Sequence, residues 1–116
     1  MAALDHLQED LSPEEVRSLH ADGSVELIDV REPYEHDAGR IDGARHIEIP
    51  ALTAAAAELD RERPIVFYCR SGHRSAMATQ AFRASGFQAF NLTGGLVAWV
   101  AAGLPIVPED GTVADH

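Results

Sequence analysis

Short runs of apolar residues recur along this chain, and each is followed by a stretch whose composition favours a turn or a helix. The runs at residues 25–30, 64–69 and 87–92 are rich in β-branched and aromatic side chains, which is typical of buried strands. Residues 44–47 predict a further, shorter strand. The pattern therefore predicts strands that alternate with helices along the chain.

Capping residues and helix-favouring composition place helices between the predicted strands. At the first of them Ser12 is an N-cap, Pro13 suits the first helical position and Glu15 completes a capping box. This helix is expected to end near His20. Further helices are predicted near residues 34–38, over residues 54–59 with Thr53 as the cap, after Cys69 to about Gly86, and over residues 96–102.

Alternating strands and helices predict an α/β fold in which helices cover both faces of a parallel sheet. In such sheets, ligands bind beyond the carboxyl ends of the strands. Asp29 and Arg31 stand at the end of one predicted strand, Cys69 at the end of another, and residues 91–95 at the end of a third. The sequence therefore predicts that these residues meet at one edge of the sheet.

The 116 residues, of which 46% are hydrophobic and 24% charged, suffice for one globular domain with a core. We assign residues 1–108 to that domain and expect residues 109–116 to form a flexible acidic tail. The apolar runs are too short to span a membrane, and residues 1–5 lack the regions of a secretory leader, which predicts a cytoplasmic protein. The single cysteine excludes an intramolecular disulfide and gives no support for a structural zinc site.

Charge is distributed unevenly around that cysteine. The net charge is −10, yet residues 63–108 contain four arginines and no acidic residue, whereas residues 1–62 contain 16 acidic residues and five arginines. A cationic segment favours a small anion as its ligand, and an exposed acidic half also aids solubility. The negative net charge disfavours nucleic acid as a partner.

Residues 69–75 read Cys-Arg-Ser-Gly-His-Arg-Ser and stand between a predicted strand and a helix. The thiolate rather than the thiol is the nucleophile, and Arg70, Arg74 and the helix N-terminus all favour the anion. Gly72 allows a left-handed backbone, so that successive amides can form an anion-binding nest. The segment therefore predicts a reactive thiolate beside an anion site.

Each of these residues also has a structural interpretation. A buried cysteine often serves packing alone, but the sheet-edge position, the central glycine and the two arginines together favour catalysis. Ser71 and Ser75 are helix caps or hydroxyl donors, with capping favoured for Ser75. His73 is an acid or base or a solvated loop residue, and Arg31 either shapes the site or pairs with Asp29. The other histidines show no metal-ligand spacing and are interpreted as surface residues.

Four segments match motifs of one known family: residues 27–32, residues 35–44, residues 69–74, and residues 94–99 with 103–105. In this order they match a strand-end motif, a second motif, an active-site loop and a C-terminal signature. With these motifs the chain resembles a single-domain rhodanese, a thiosulfate sulfurtransferase. One departure is that Arg40 and Asp42 stand where the second motif of the family usually has His and Pro.

The resemblance implies a three-layer fold with a central parallel sheet of about five strands flanked by helices. It implies that Cys69 takes the outer sulfur of thiosulfate or a similar anionic donor as a persulfide. The sulfur then passes to a thiophilic acceptor, such as cyanide, a cellular thiol or a sulfur-accepting protein, and no metal or cofactor is needed. Loop amides would stabilise the persulfide, and the arginines would hold the sulfonate. The candidate substrate-binding residues are Arg31, Arg70, Ser71, Gly72, His73, Arg74 and Ser75.

Two other functions are alternatives. The first is a persulfide carrier that delivers sulfur to a biosynthetic enzyme, with the acidic residues 1–62 docking a basic partner. The second is a phosphatase or arsenate reductase. Four residues separate Cys69 from Arg74, whereas related phosphatases place five there, and an arsenate reductase commonly needs further cysteines. Sulfurtransferases that use 3-mercaptopyruvate typically have an uncharged loop, so the two arginines favour thiosulfate.

Overall fold

The computed structural model of this chain describes residues 8–115. The expectation that residues 1–5 carry no secretory leader concerns residues outside this range. Within residues 8–115, no helix is long enough and apolar enough to cross a membrane.

A parallel sheet of five strands forms the centre of the fold, which confirms the predicted α/β class. The order across the sheet is β1-β5-β4-β2-β3, and every neighbouring pair is parallel. The sequence does not predict strand β1, because two residues are too few to show a period. In chain order the strands are β1 (Asp10–Leu11), β2 (Glu26–Asp29), β3 (Arg45–His46), β4 (Ile65–Tyr68) and β5 (Ala89–Leu92).

Within residues 8–115 there are five α-helices, four between consecutive strands and one after the last, and most begin where the sequence predicts. The capping box at the first helix is confirmed, since Glu15 N donates to Ser12 Oγ and Ser12 N to Glu15 Oε1. The prediction that Thr53 caps a helix is wrong. A 3₁₀ turn over Ile49–Ala51, with Pro50 in its first turn, precedes this helix. Its last residue, Ala51, is the N-cap of the helix instead. The helices are α1 (Pro13–Ala21), α2 (Pro33–Ala38), α3 (Leu52–Ala56), α4 (His73–Ala84) and α5 (Gly95–Ala101).

Helices cover both faces of the sheet and divide the core into two clusters. Strand β4 shows the division, because Ile65 and Phe67 belong to the cluster under α3 and α4, while Val66 and Tyr68 belong to the cluster under α1 and α5. All four side chains are buried. Cys69 continues this alternation and joins the cluster on the α4 face.

The strand register brings the carboxyl ends of the central strands to one edge of the sheet. Asp29 lies opposite Tyr68 between β2 and β4, and Asn91 lies opposite Phe67 between β5 and β4. The loops that follow β2, β4 and β5 therefore leave the sheet side by side. This edge is where the sequence predicts a site.

The acidic C-terminal tail lies against the domain at this same end. Thr112 N donates to Ala38 O over 2.8 Å. The two segments cross closely at Gly39, because a Cβ there would overlap the backbone oxygen of Thr112. Val113 packs against the core cluster under α1 and α5. Flexibility of the tail stays a prediction, while these contacts give it a defined course towards the cysteine loop, residues 69–74, which include the start of α4.

Candidate active site

Cys69 lies in the loop between β4 and α4, at the carboxyl edge of the sheet. Gly72 is the N-cap of α4 and has a φ of 100°, a left-handed conformation that favours glycine. This turn aims the Gly72 amide at the cysteine, and Gly72 N donates to Cys69 Sγ over 3.1 Å. Because Cys69 is only 1% exposed, the loop places a backbone donor on a sulfur that lies beneath it.

The start of α5 holds the cysteine loop from the other side. Leu96 N donates to Cys69 O over 2.9 Å, and Val97 N donates to Arg70 O over 3.0 Å. These bonds need a close approach at Gly95, where a Cβ would lie 2.5 Å from Cys69 O and where φ is 61°. The C-terminal motif therefore supplies the backbone that fixes the loop.

We expect Gly95→Ala to displace the cysteine loop and to lower the free energy of unfolding by about 2 kcal/mol more than Gly103→Ala does. Gly103 is the matched control because its φ is 80° but open space surrounds the position of a Cβ. Both substitutions therefore strain the backbone, and only Gly95→Ala overlaps the loop. Urea unfolding would measure the difference, and equal losses would contradict the bracing role of Gly95.

Ser75 lies in the first turn of α4, fully buried beside the cysteine. Because Gly72 is the N-cap, the prediction that Ser75 caps this helix is wrong. The Ser75 Oγ atom is instead 2.6 Å from Asn91 Oδ1 and 3.4 Å from Cys69 Sγ. The Ser75 hydroxyl therefore lies beside the sulfur, where its other predicted role, that of a hydroxyl donor, requires it to be.

Arg74, one of the two arginines in the loop, is held by a buried carboxylate on α2. Arg74 Nη1 and Nη2 donate to the two carboxylate oxygens of Glu35 over 2.8 and 3.0 Å. Burial by itself raises the pKa of the Glu35 carboxyl, but the Arg74 hydrogen bonds and charge outweigh it, so that the pKa lies below its ordinary value. The pair fixes the guanidinium beside the loop and offsets its charge.

A cleft of about 490 Å³ opens over the loop. Arg70 lines this cleft, and its contacts are longer than those of Arg74. Its Nε atom donates to Ala114 O over 3.2 Å, and its Nη2 atom lies 3.5 Å from the Asp115 carboxylate. Tyr34 Oη donates to Asp115 O over 3.1 Å, which anchors the tail at the mouth of the cleft. The lining residues are Arg70, Ser71, His73, Arg74 and Asp115.

Arg31 lies inside the fold, where both of its partners are buried groups. Its Nε and Nη2 atoms donate to the two carboxylate oxygens of Asp29 over 2.9 and 2.7 Å, and Nη2 also donates to Gly39 O over 2.7 Å. Both ion-paired side chains are 0% exposed. The predicted pairing with Asp29 is thus confirmed. Among residues 8–115 Arg31 is not part of the cleft lining, and its substrate-binding role stays a prediction.

The Asp29 carboxylate is the centre of a buried polar cluster. Tyr68 Oη donates to Asp29 Oδ2 over 3.1 Å, and His36 Nδ1 lies 2.9 Å from the same oxygen. Burial raises the pKa of Asp29, but the hydrogen bonds and charge of Arg31 outweigh it and hold the pKa below its usual value. For Asp29, as for Glu35, the stabilisation is present above the ordinary pKa and is lost as the pH falls through the folded-state pKa.

His36 and His46 take part in the buried polar cluster around Asp29 and Arg31. Within residues 8–115 no group of three or more His, Cys, Asp or Glu side chains is arranged to hold a metal ion. The interpretation of His36 as an ordinary surface residue is wrong, because its side chain is 17% exposed and contacts Asp29. His36 also stacks on His46, with ring centroids 4.3 Å apart.

The folded site has less positive charge than the arginine-rich residues 63–108 suggest. Of the four arginines in residues 63–108, Arg63 pairs with Glu26 and Arg83 with Glu9, both outside the cleft. The two arginines of the cysteine loop remain, and two carboxylates from other segments, on α2 and in the tail, reach them. The cleft is therefore nearly balanced in charge rather than strongly cationic.

Comparison with known proteins matches the same domain that the fold defines. A family model of the rhodanese-like domain matches residues 12–102. The thiosulfate sulfurtransferase GlpE of Pseudomonas aeruginosa is 33% identical over 90 residues, which cover 77% of this chain and 81% of that protein. The probable adenylyltransferase/sulfurtransferase MoeZ of Mycobacterium tuberculosis is 41% identical over 93 residues, but this chain spans only 24% of its length.

A solved structure is similar over nearly the whole domain. A rhodanese-related protein from Thermoplasma volcanium aligns with a TM-score of 0.79 and 26% identity, covering 86% of this chain and 98% of that one. The matched residues 12–102 include the cysteine loop and the strands that position it. This chain therefore belongs to the rhodanese-like family, as its four motifs predict.

Proposed function

We propose that this protein transfers a sulfane sulfur from thiosulfate, or a similar anionic donor, to a thiophilic acceptor through a persulfide on Cys69. The observation that carries the proposal is the setting of the sulfur: Gly72 N donates to Cys69 Sγ over 3.1 Å, beneath a cleft that Arg70 and Arg74 line. The name of the relative from Pseudomonas aeruginosa, a thiosulfate sulfurtransferase, supports the same donor.

The proposed reaction has two displacements. The Cys69 thiolate attacks the outer sulfur of thiosulfate, a new S–S bond forms, and the old S–S bond breaks so that sulfite leaves with its electron pair. The acceptor then attacks the outer sulfur of the persulfide, and the Cys69 thiolate leaves. Because Cys69 is 1% exposed, a donor that presents a single small atom suits it. A lone thiol of this kind stays reduced in the cytoplasm, where we place the reaction.

The loop amides and the arginines have separate parts in this proposal. The Gly72 amide, already directed at the sulfur, stabilises the thiolate and the persulfide. Arg70, whose contacts with the tail are long, turns to the sulfonate end of the donor. Arg74 stays on Glu35 and contributes its charge next to Cys69. Ser71 and His73 line the same cleft and are proposed contacts for the donor.

Intact mass spectrometry tests the proposal directly. After incubation with millimolar thiosulfate and removal of excess reagent, the protein is expected to gain the mass of one sulfur atom and to release one equivalent of sulfite. The adduct should disappear on treatment with cyanide, with formation of thiocyanate. A protein whose thiol reacts with a disulfide reagent but gains no sulfur from thiosulfate would rule out this donor.

We expect Arg70→Ala to raise the KM for thiosulfate about tenfold with little change in kcat, because a charge-assisted contact with the donor is lost. Arg17→Ala is the matched control, since Arg17 is exposed on α1 and outside the cleft. Steady-state formation of thiocyanate would measure both variants. Equal KM values for Arg70→Ala and Arg17→Ala would contradict an anion-binding role for Arg70.

A persulfide carrier is the second candidate, and the match to one part of MoeZ supports it, since that larger protein is named as both an adenylyltransferase and a sulfurtransferase. In this case the protein forms the persulfide but turns over slowly with thiosulfate and cyanide, and the exposed acids of residues 8–62 dock a basic partner. Single-turnover and steady-state rates with cyanide and with a thiol acceptor separate the two functions. Rapid sulfur loading with slow steady-state transfer would favour the carrier.

A further inference from the structure

The side-chain amide of Asn91 has an orientation that its neighbours fix. Asn91 lies on β5 and is 5% exposed. Its Nδ2 atom donates to Asp10 Oδ1 over 3.2 Å and to Gly72 O over 3.3 Å. Because both partners are acceptors, the nitrogen must face them, and the oxygen Oδ1 must face Ser75.

The Ser75 hydroxyl has one proton and two neighbours that can accept it. Asn91 Oδ1 is 2.6 Å away, whereas Cys69 Sγ is 3.4 Å away. The shorter contact takes the proton, so Ser75 Oγ turns a lone pair towards the sulfur. A lone pair accepts a hydrogen bond from a thiol but repels a thiolate.

We propose that Asn91 is a positioning residue that controls how readily Cys69 ionises, by holding the Ser75 hydroxyl proton away from the sulfur. The inference rests on the proposed role of Cys69 as the nucleophile. The Gly72 amide and the Arg74 charge favour the thiolate. The Ser75 hydroxyl also favours it, but only when its hydrogen bond to Asn91 Oδ1 is broken. Asp10, at the far side of Asn91, keeps the amide in its orientation.

This arrangement gives the hydroxyl two positions in the proposed cycle. With the proton on Asn91 Oδ1, the thiol of Cys69 is favoured. With the proton turned to the sulfur, the thiolate is stabilised, both when it attacks the donor and when it leaves the persulfide. The competition between the two acceptors therefore sets the fraction of Cys69 that is ready to react at a given pH.

The pH dependence of Cys69 alkylation by iodoacetamide tests this inference without any sulfur donor. In Asn91→Leu the hydroxyl loses its nearer acceptor, and we expect the midpoint of the profile to move about 0.5 to 1 pH unit lower than in the unaltered protein. In Ser75→Ala no hydroxyl is left to donate to the sulfur, so its midpoint should lie higher than that of Asn91→Leu. The double variant should match Ser75→Ala alone, because Asn91 acts only through Ser75.

A lower midpoint in Asn91→Leu that is lost in the double variant supports the inference, since a general loss of packing would not depend on Ser75. No shift, or a shift to higher pH, in Asn91→Leu would overturn it. Should Asn91→Leu fail to fold, NMR of the unaltered protein decides: the Asn91 side-chain ¹⁵N signal must titrate with the midpoint of the Cys69 ¹³Cβ signal, and a signal that stays constant overturns the inference. Alkylation reads only ionisation, so a failure of thiosulfate transfer alone leaves this result intact.

Discussion

Cys69→Ser is expected to abolish sulfur transfer, with kcat for thiosulfate and cyanide falling by at least about 10³-fold. A serine hydroxyl is far less acidic than a thiol and cannot form a persulfide, so the first displacement has no nucleophile. The chain contains one cysteine, and no other side chain can substitute for it. The effect should therefore appear in kcat rather than in KM.

The measurement is thiocyanate formation, combined with intact mass after thiosulfate treatment. Cys69 is buried in the core cluster under α4, so Cys69→Ala serves as a second variant that leaves no polar atom there. Circular dichroism should show native secondary structure for both variants. Cys69→Ser that folds and still yields thiocyanate at the unaltered rate would contradict the proposed mechanism.

The sequence predicts the fold and the cysteine loop well because both depend on local patterns. The β-branched runs mark the central strands, and the Gly72 turn follows from the need for a left-handed residue between a strand and a helix. The edge position of Cys69 follows from the rule that parallel strands share one carboxyl end. Strand β1 is the exception, since its two residues become a strand only by pairing with Asn91 and Leu92.

The surroundings of the cysteine depend on long-range contacts that no local pattern encodes. Glu35 reaches Arg74 from α2, and Asp115 reaches Arg70 from the tail. Asn91 could be placed at the sheet edge from its strand, but its pairing with Ser75 requires the register between β4 and β5. The charge of residues 63–108 therefore overstates the charge of the folded site.

Asp29→Asn is expected to lower the free energy of unfolding by about 3–5 kcal/mol, because it leaves the buried Arg31 guanidinium without a counter-charge. Asp29 accepts hydrogen bonds from Arg31 Nε and Nη2 and from Tyr68 Oη. The amide nitrogen that Asp29→Asn introduces is itself a donor, and it would face at least one of these donors. Arg31 Nη1 already lacks a hydrogen-bond partner among residues 8–115, and the Gly39 carbonyl that Nη2 also contacts supplies no counter-charge.

Glu26→Gln on the same strand is the matched control, since it removes the same charge where the partners Arg45 and Arg63 are 46% and 45% exposed. Such surface pairs contribute about 0–1 kcal/mol. Urea unfolding followed by the fluorescence of Trp99 would measure the variants. Adding Arg31→Met to Asp29→Asn should recover part of the lost free energy of unfolding, because most of that loss comes from the unpaired charge of Arg31. A cost for Asp29→Asn no greater than that of Glu26→Gln would mean that the buried pair is not what anchors the end of β2 beside the cysteine loop.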